Sequence, residues 1–240
     1  MENLEQANST QEGMNQMNNN RVMLSGVIVG EPRKSHTVFG EGFYELSLSV
    51  NRLSNMQDIV PITVPERLLV SENLASGMAI TVKGQFRSYN KIVGGRSKLM
   101  LTMFVREILH EVNVDNPNVI ELVGFVCKTP IYRTTPFNRE IADILLAVNR
   151  TYNKSDYIPA IAWGRNARFA ESLKIGERVY LSGRVQSREY QKRLDSGEVE
   201  TRTAYEISIN KLSGEELPSM FEANDAAFIV EDFDVAEAIL

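Results

Sequence analysis

Among its 240 residues the chain has a single cysteine, Cys127, so no disulfide can close within it. Such sparing use fits a reducing compartment. Two histidines, His36 and His110, together with that one cysteine match no metal-ligand spacing, so all three read as structural. No Ser-His-Asp set, carboxylate constellation or phosphate-cradling loop is visible, and neither catalysis nor a cofactor is expected. No apolar run approaches the roughly 18 residues of a membrane span, and no basic-then-apolar leader opens the chain. A cytoplasmic protein is the expectation.

Bases are missing from both ends. Residues 1 to 20 hold three acids and no Lys or Arg, and Ser213 to Leu240 hold eight acids and no base. Of 31 acids, 20 therefore fall in residues 21 to 212, against all 26 bases. A net charge of −5 thus conceals a mildly basic centre, compatible with a polyanionic partner. Hydrophobic content of 43% supplies ample core for one large or two smaller domains.

What the sequence does have is a repeat. Pairing residue i with i+98 from Asn20 to Pro61 gives 13 identities in 42 positions without a gap. They include Asn20, Leu24, Gly26, Pro32, Phe39, Asn51, Arg52 and Asp58. One inserted residue later, "VKGQFRS" (82–88) lies beside "LSGRVQS" (181–187). Self-similarity of this length predicts two copies of one fold. The expected division is a polar, unpatterned tail (1–19), a first copy (20–112), a second copy (113–212) and an acidic tail (213–240).

Each copy reads mainly as strands. "FYELSLSVN" and "IADILLAVN" alternate, with Leu46, Leu48 and Val50 on one face and Ile144, Leu146 and Val148 on its counterpart. Glycines inside β-rich runs (Gly26, Gly84, Gly124, Gly183) suggest bulges or tight bends. "NARFAESLKIG" spaces Ala167, Ala170 and Leu173 as a helix, with Gly176 expected to end it. Five strands with a helix between the third and fourth is the order of an OB-fold. The predicted class is all-β with one short helix per repeat, as two tandem five-stranded OB-fold barrels.

At this point a resemblance becomes specific. The second copy has a third strand flanked by Tyr157 and Trp163, then "GRNA", a helix running into "LKIG", "VYLSGRVQSREY" and a last strand "TRTAYEISI". In that order and spacing it resembles the bacterial single-stranded-DNA-binding protein family over about 95 residues. The first copy keeps the start and the "VNR" but has "ITVPERLLVSENLASG" where its sibling has "IAWGRNARFAESLKIG". The resemblance implies non-catalytic, largely sequence-independent binding of single-stranded DNA in replication, recombination and repair. By the same resemblance Tyr157, Trp163 and Tyr190 occupy base-stacking positions, where the first copy has Ile59, Pro65 and Lys91.

The residues support this on their own terms. A sequence-tolerant binder needs aromatic platforms interleaved with cations. Strand parity places Arg184, Arg188 and Tyr190 on one outer face, and Arg87, Tyr89 and Lys91 on its counterpart. Phe39 and Phe137 sit in equivalent loops, as candidates for the groove or for packing on the barrel rim. Arg52 and Arg150 follow a strand-ending asparagine and are candidates for phosphate contact or for simple strand ends.

In character the acidic tail is similar to the family's partner-docking segment, with Phe233, Ile239 and Leu240 as its apolar contacts. It ends Ala-Ile-Leu rather than Pro-Phe, and an amphipathic helix packed on the barrels is the other reading. Four barrels, as a homodimer, are the expected assembly. Two alternatives remain open: a primosome-like interaction scaffold with weak DNA binding, and an RNA-binding OB protein.

Overall fold

A computed structural model of the chain describes residues 19–221 apart from 53, 55, 114 and 194–196, with the Tyr152 side chain left aside. The alternating runs become two closed barrels. The first comprises β1 (Asn20–Val38), β2 (Glu41–Asn51), β3 (Gln57–Pro65), α1 (Glu66–Ser71), β4 (Ala79–Val93) and β5 (Arg96–Leu109). The second comprises β6 (Asn118–Val126), β7 (Ile131–Thr134), β8 (Glu140–Asn149), β9 (Ser155–Trp163), α2 (Arg165–Ser172), β10 (Arg178–Arg193) and β11 (Val199–Ser213).

Closure follows one pattern twice. β1 pairs antiparallel with β2 and β4, β2 with β3, β4 with β5, and β3 runs parallel to β5. β6, β8, β9, β11 and β10 repeat the circuit. This is the OB-fold topology, twice over. The break that separates β6 from β7 survives in β1 as register shifts on either side of Arg33 and Lys34. Inward positions fill each barrel: Leu24, Leu48, Ile62 and Phe86 in the first, Ile120, Leu146 and Ile158 in the second, all fully buried. Each such side chain contributes about 1.5–3 kcal/mol by burial.

The glycines within strands do what their position suggested. Ladders shift register at Lys83/Gly84 and Ser182/Gly183. A Cβ on Gly84 would lie 1.9 Å from the Phe104 carbonyl oxygen, and one on Gly183 2.3 Å from that of Ser208. Only a bare backbone closes the barrel corner there. The helix differs from expectation. α2 stops at Ser172, where the Leu173 N–H turns back to the Ala170 carbonyl, and Gly176 (φ 88°) serves the following turn instead.

Between the barrels, β1 and β6 pair antiparallel from Asn20↔Leu122 to Leu24↔Asn118, so Val22 faces its own repeat equivalent, Ile120. The seam has local two-fold symmetry. Asn20 uses its side-chain amide as an extra rung, donating to the Phe86 carbonyl and accepting from the Phe86 N–H, both at 2.8 Å. Asn118 does the same with Val185 at 2.7 and 2.8 Å. The connection 110–117 joins β5 to β6 beside this seam, where the Ser25 N–H donates to the Pro117 carbonyl at 2.7 Å. After β11 the chain returns to the seam. Ser219 accepts from Arg21 (3.2 Å) and donates to Glu121 (2.8 Å), and the Arg21 guanidinium lies 4.3 Å from the centre of the buried Phe221 ring.

A clamp fastens the joint further. Asp58 is fully buried and accepts from Arg52 Nε and Nη2 at 2.6 and 2.5 Å. It also accepts from the backbone N–H (2.7 Å) and hydroxyl (3.0 Å) of Ser187, which belongs to the other barrel. Arg52 Nη2 donates to the Ser187 carbonyl at 3.1 Å. The mirror image uses Asp156, Arg150 and Ser88. Burial would raise the Asp58 carboxyl, but the Arg52 guanidinium and the two Ser187 donors outweigh it and hold the pKa below its ordinary value.

Asp58→Ala strands a guanidinium and a backbone N–H, and removing one partner of a buried pair costs about 3–5 kcal/mol. Urea unfolding of the variant should show that loss. Because the folded-state pKa is depressed, the Asp58 contribution is fully present above the unfolded value near 3.8 and is lost as pH falls through the lower folded one. Acid unfolding monitored below pH 4 should therefore differ between wild type and variant far less than at pH 7.

Candidate nucleic-acid interface

β9 presents the aromatic face of the second barrel. Ile158, Ala160 and Ala162 point into the core, and the alternate residues Tyr157 and Trp163 are 47% and 39% exposed. With a rise of about 3.3 Å per residue the two rings are spaced by roughly 20 Å along the strand. Cross-strand pairing extends the face. Tyr157 sits opposite Ala147, Ala147 opposite Phe125, and Phe125 opposite Arg178. Phe125 is itself exposed. The sequence reading missed it, although its place one residue after Gly124, on a strand that alternates, was a usable signal.

The same row in the first barrel reads Ile59, Ser49, Val27 and Ala79. Its geometry is preserved and its aromatic rings are gone. Tyr89 does not make up the difference from the same place. It is half-buried on β4, where burial first, and then the charge and hydrogen bond of Glu45, push its phenol pKa up. Lys91 lies beyond it, exposed, opposite Lys98.

The expected cations divide into two groups. Arg52 and Arg150 are the arms of the inter-barrel clamp, with side chains 25% and 10% exposed. The repeated Asn-Arg and the acid six residues later belong together as one structural device. Arg87 and Arg184 stand beside that clamp, 3.7 Å from Asp156 and 3.6 Å from Asp58. Arg188 is different: its side chain is 60% exposed, 3.7 Å from Glu206, on the β10–β11 arm. Tyr190 lies on the same arm, across the ladder from Arg202.

Hairpin tips carry the two loop phenylalanines. Phe39 and Gly40, at φ 46° and 87°, make the tight turn between Val38 and Glu41, a left-handed pair that suits the twist of a two-residue hairpin. Phe137 projects from the β7–β8 turn, which the Thr135 hydroxyl and carbonyl pin to Arg139 and Asn138. Both rings are exposed. Phe233, Ile239 and Leu240 lie outside the described residues.

The clamp also brings the two halves of the interface together. Ser88, next to Tyr89 on the first barrel's β4 arm, accepts the Tyr157 N–H on its hydroxyl at 2.8 Å. Each hairpin arm thus crosses onto the start of the other barrel's third strand. Among the described residues no cluster of His, Cys, Asp and Glu could hold a metal ion.

These features define a tandem OB-fold protein with an aromatic strand face and basic hairpin arms. Residues 117–213 match the Single-strand binding protein family. The match covers the second barrel of a chain that carries two OB-folds. Single-stranded DNA-binding protein A of Bacillus subtilis is 37% identical over 81 residues, 31% of this chain and 47% of the relative. Single-stranded DNA-binding protein 2 of Listeria innocua is 36% identical over 81 residues, 31% of this chain and 51% of the relative. The chain spans about half the length of these curated relatives. In fold it is similar to the wild-type single-stranded DNA binding protein from Thermus aquaticus, with a TM-score of 0.60 at 19% identity over 86% of this chain and 98% of that one.

Position separates the arginines experimentally. Arg150→Ala leaves Asp156 buried without its main partner and should cost about 3–5 kcal/mol. Arg188→Ala, at an exposed site, should change stability by less than about 0.5 kcal/mol. Parallel denaturant titrations of the two variants read the contrast directly.

Proposed function

We propose that this chain binds single-stranded DNA, without catalysis and largely without sequence preference. The observation that carries the proposal is the pair of exposed rings on β9, Tyr157 and Trp163, on the barrel that matches the family. Unpaired bases offer π-faces to such platforms whatever their identity, and each stacked base contributes about 1–3 kcal/mol. Phe125 extends the platform across the sheet, and Phe137 and Tyr190 border it. The arms add positive charge through Arg188 and Lys91, which meet the phosphates. In the first barrel the platform row is aliphatic, so its share is mainly backbone contact, with Tyr89 and Phe39 as the rings nearest its arm and hairpin tip. The names of the relatives support this reading, since each is a single-stranded DNA-binding protein.

The biological setting we infer is the handling of exposed strands in replication, recombination and repair, inside the cell. Four barrels in a homodimer are the assembly we propose. The acidic tail is the proposed docking segment for partner proteins. No helix among the described residues is long and apolar enough to cross a membrane.

Trp163 is the only tryptophan, so its emission reports the interface without a label. Titration with oligo-dT should quench it, and Trp163→Ala should weaken binding about tenfold or more, the equivalent of 1.4 kcal/mol. Saturable binding with unchanged emission, together with a destabilised Trp163→Ala, would assign the ring to packing. Duplex DNA and RNA of equal length, titrated in parallel, should bind more weakly.

The tail supplies a second test. Residues 222–240 include six acids and no base. Ending the chain at Phe221 keeps the seam contacts of Ser219 and Phe221 and removes those charges. Affinity for oligo-dT at low salt should rise, and the gain should shrink as salt screens it.

A further inference from the structure

Two guanidiniums share one carboxylate at the joint. Asp58 already accepts four hydrogen bonds, two from Arg52 and two from Ser187. Arg184, from the second barrel, comes no closer than 3.6 Å to it. Its Nη2 donates to Gln186 Oε1 at 3.0 Å, whereas its buried Nη1 has no hydrogen-bond partner among the described residues. Burial and the neighbouring Arg52 charge both work against the Arg184 cation, and Asp58 only partly offsets them. A buried donor left unmade, with excess positive charge around it, is matched by an oxygen anion.

Arg184 also borders open space. Arg52 and Arg184 line an open pocket of about 270 Å³ together with Asn51, Asn116 and Asn210. Both barrels and the connection between them contribute to its wall. Asp115 is the one acid in the lining, exposed on the connection. Guanidinium forks and side-chain amides are the donors that phosphate oxygens take, and amides add no competing charge.

On the mirror side Arg87 stands 3.7 Å from Asp156 and donates to Gln85, so the same pair of side chains serves each acid from exchanged positions. The first barrel reads Gly-Gln85-Phe-Arg87-Ser and the second Gly-Arg184-Val-Gln186-Ser, the same two side chains in opposite order. Gln85 therefore occupies in the first barrel the place that Arg184 holds in the second. We propose that the pocket between the barrels is a phosphate site, in which the Arg184 guanidinium binds one backbone phosphate of a strand passing from one barrel to the other. The proposal rests on the single-strand-binding reading. It adds a site that lies off the stacking face and needs both halves of the chain.

The test uses the full chain and three forms: wild type, Arg184→Gln, which writes the sibling residue at this place, and Arg184→Lys, which keeps the charge. Oligo-dT affinity is measured against salt. One phosphate contact on a single strand contributes about 0.7 to the log–log slope. Arg184→Gln should lower the slope by that amount, and Arg184→Lys should retain it. In a second arm without DNA, inorganic phosphate is compared with chloride at equal ionic strength. It should raise the Tm of wild type and not that of Arg184→Gln. An unchanged slope in Arg184→Gln overturns the strand-phosphate assignment, and if the Tm response is nevertheless lost, the pocket takes a free anion instead. No Tm response in wild type overturns the anion site itself. Should wild type fail to bind oligo-dT at all, the functional reading falls, and the phosphate arm still decides the pocket.

Discussion

A carboxylate fully withdrawn from water must be met by donors or it becomes the most expensive atom group in the molecule. Here that constraint is used twice, in mirror image, at the joint. Asp58 and Asp156 each take an arginine from their own barrel and a serine from the other. Neither carboxylate is fully satisfied within its own repeat. Each barrel therefore completes the other's polar interior, and separation would expose two buried ions to loss of their partners at once. The seam ladder and the Asn20 and Asn118 rungs add direction to a contact whose specificity comes from the acids.

The candidate interface inherits its layout from that joint. Because the serines sit on the hairpin arms, gripping them fixes where each arm lies over the neighbouring barrel. Ser88 then touches the backbone of Tyr157, so an arm of one repeat borders the aromatic row of the other. The two rows are equivalent in register and different in chemistry: Phe125 and Tyr157 on one, Val27 and Ile59 on the other. A duplicated scaffold thus holds one face with exposed aromatic rings and one that is aliphatic. Charge follows a similar division, with Arg188 and Lys91 exposed on the arms and Arg52 and Arg150 spent on the joint.

Much of this was legible in the sequence, for identifiable reasons. Strand alternation separated Ile158, Ala160 and Ala162 from Tyr157 and Trp163, because a strand in a closed barrel has one dry face. The internal glycines marked barrel corners, where a Cβ would collide with a carbonyl oxygen. The repeat at 98 residues gave the tandem architecture. What could not be read was partnership across the repeats. Arg52 and Asp58 recur with their siblings, but a conserved spacing within each copy does not reveal that the pair reaches a serine 129 residues away. Nor does alternation separate an arginine facing water from one facing a second barrel. Helix spacing also overran α2, since Leu173 continues the apolar pattern after the backbone has left the helix.

The connection 110–117 gives the local two-fold a consequence for concentration. Two separate barrels would have to find one another, and their pairing would weaken on dilution. Tethered through eight residues, the second encounter is intramolecular, at an effective concentration of order millimolar for a short linker. The seam therefore holds at any dilution of the chain. Covalent joining also releases the two halves from having to be identical. In a symmetric pair of single barrels, one substitution alters both sides of the joint together. In this chain Gln85 and Arg184, or Ile59 and Tyr157, can differ, and each half can be tuned while the other is left as it was.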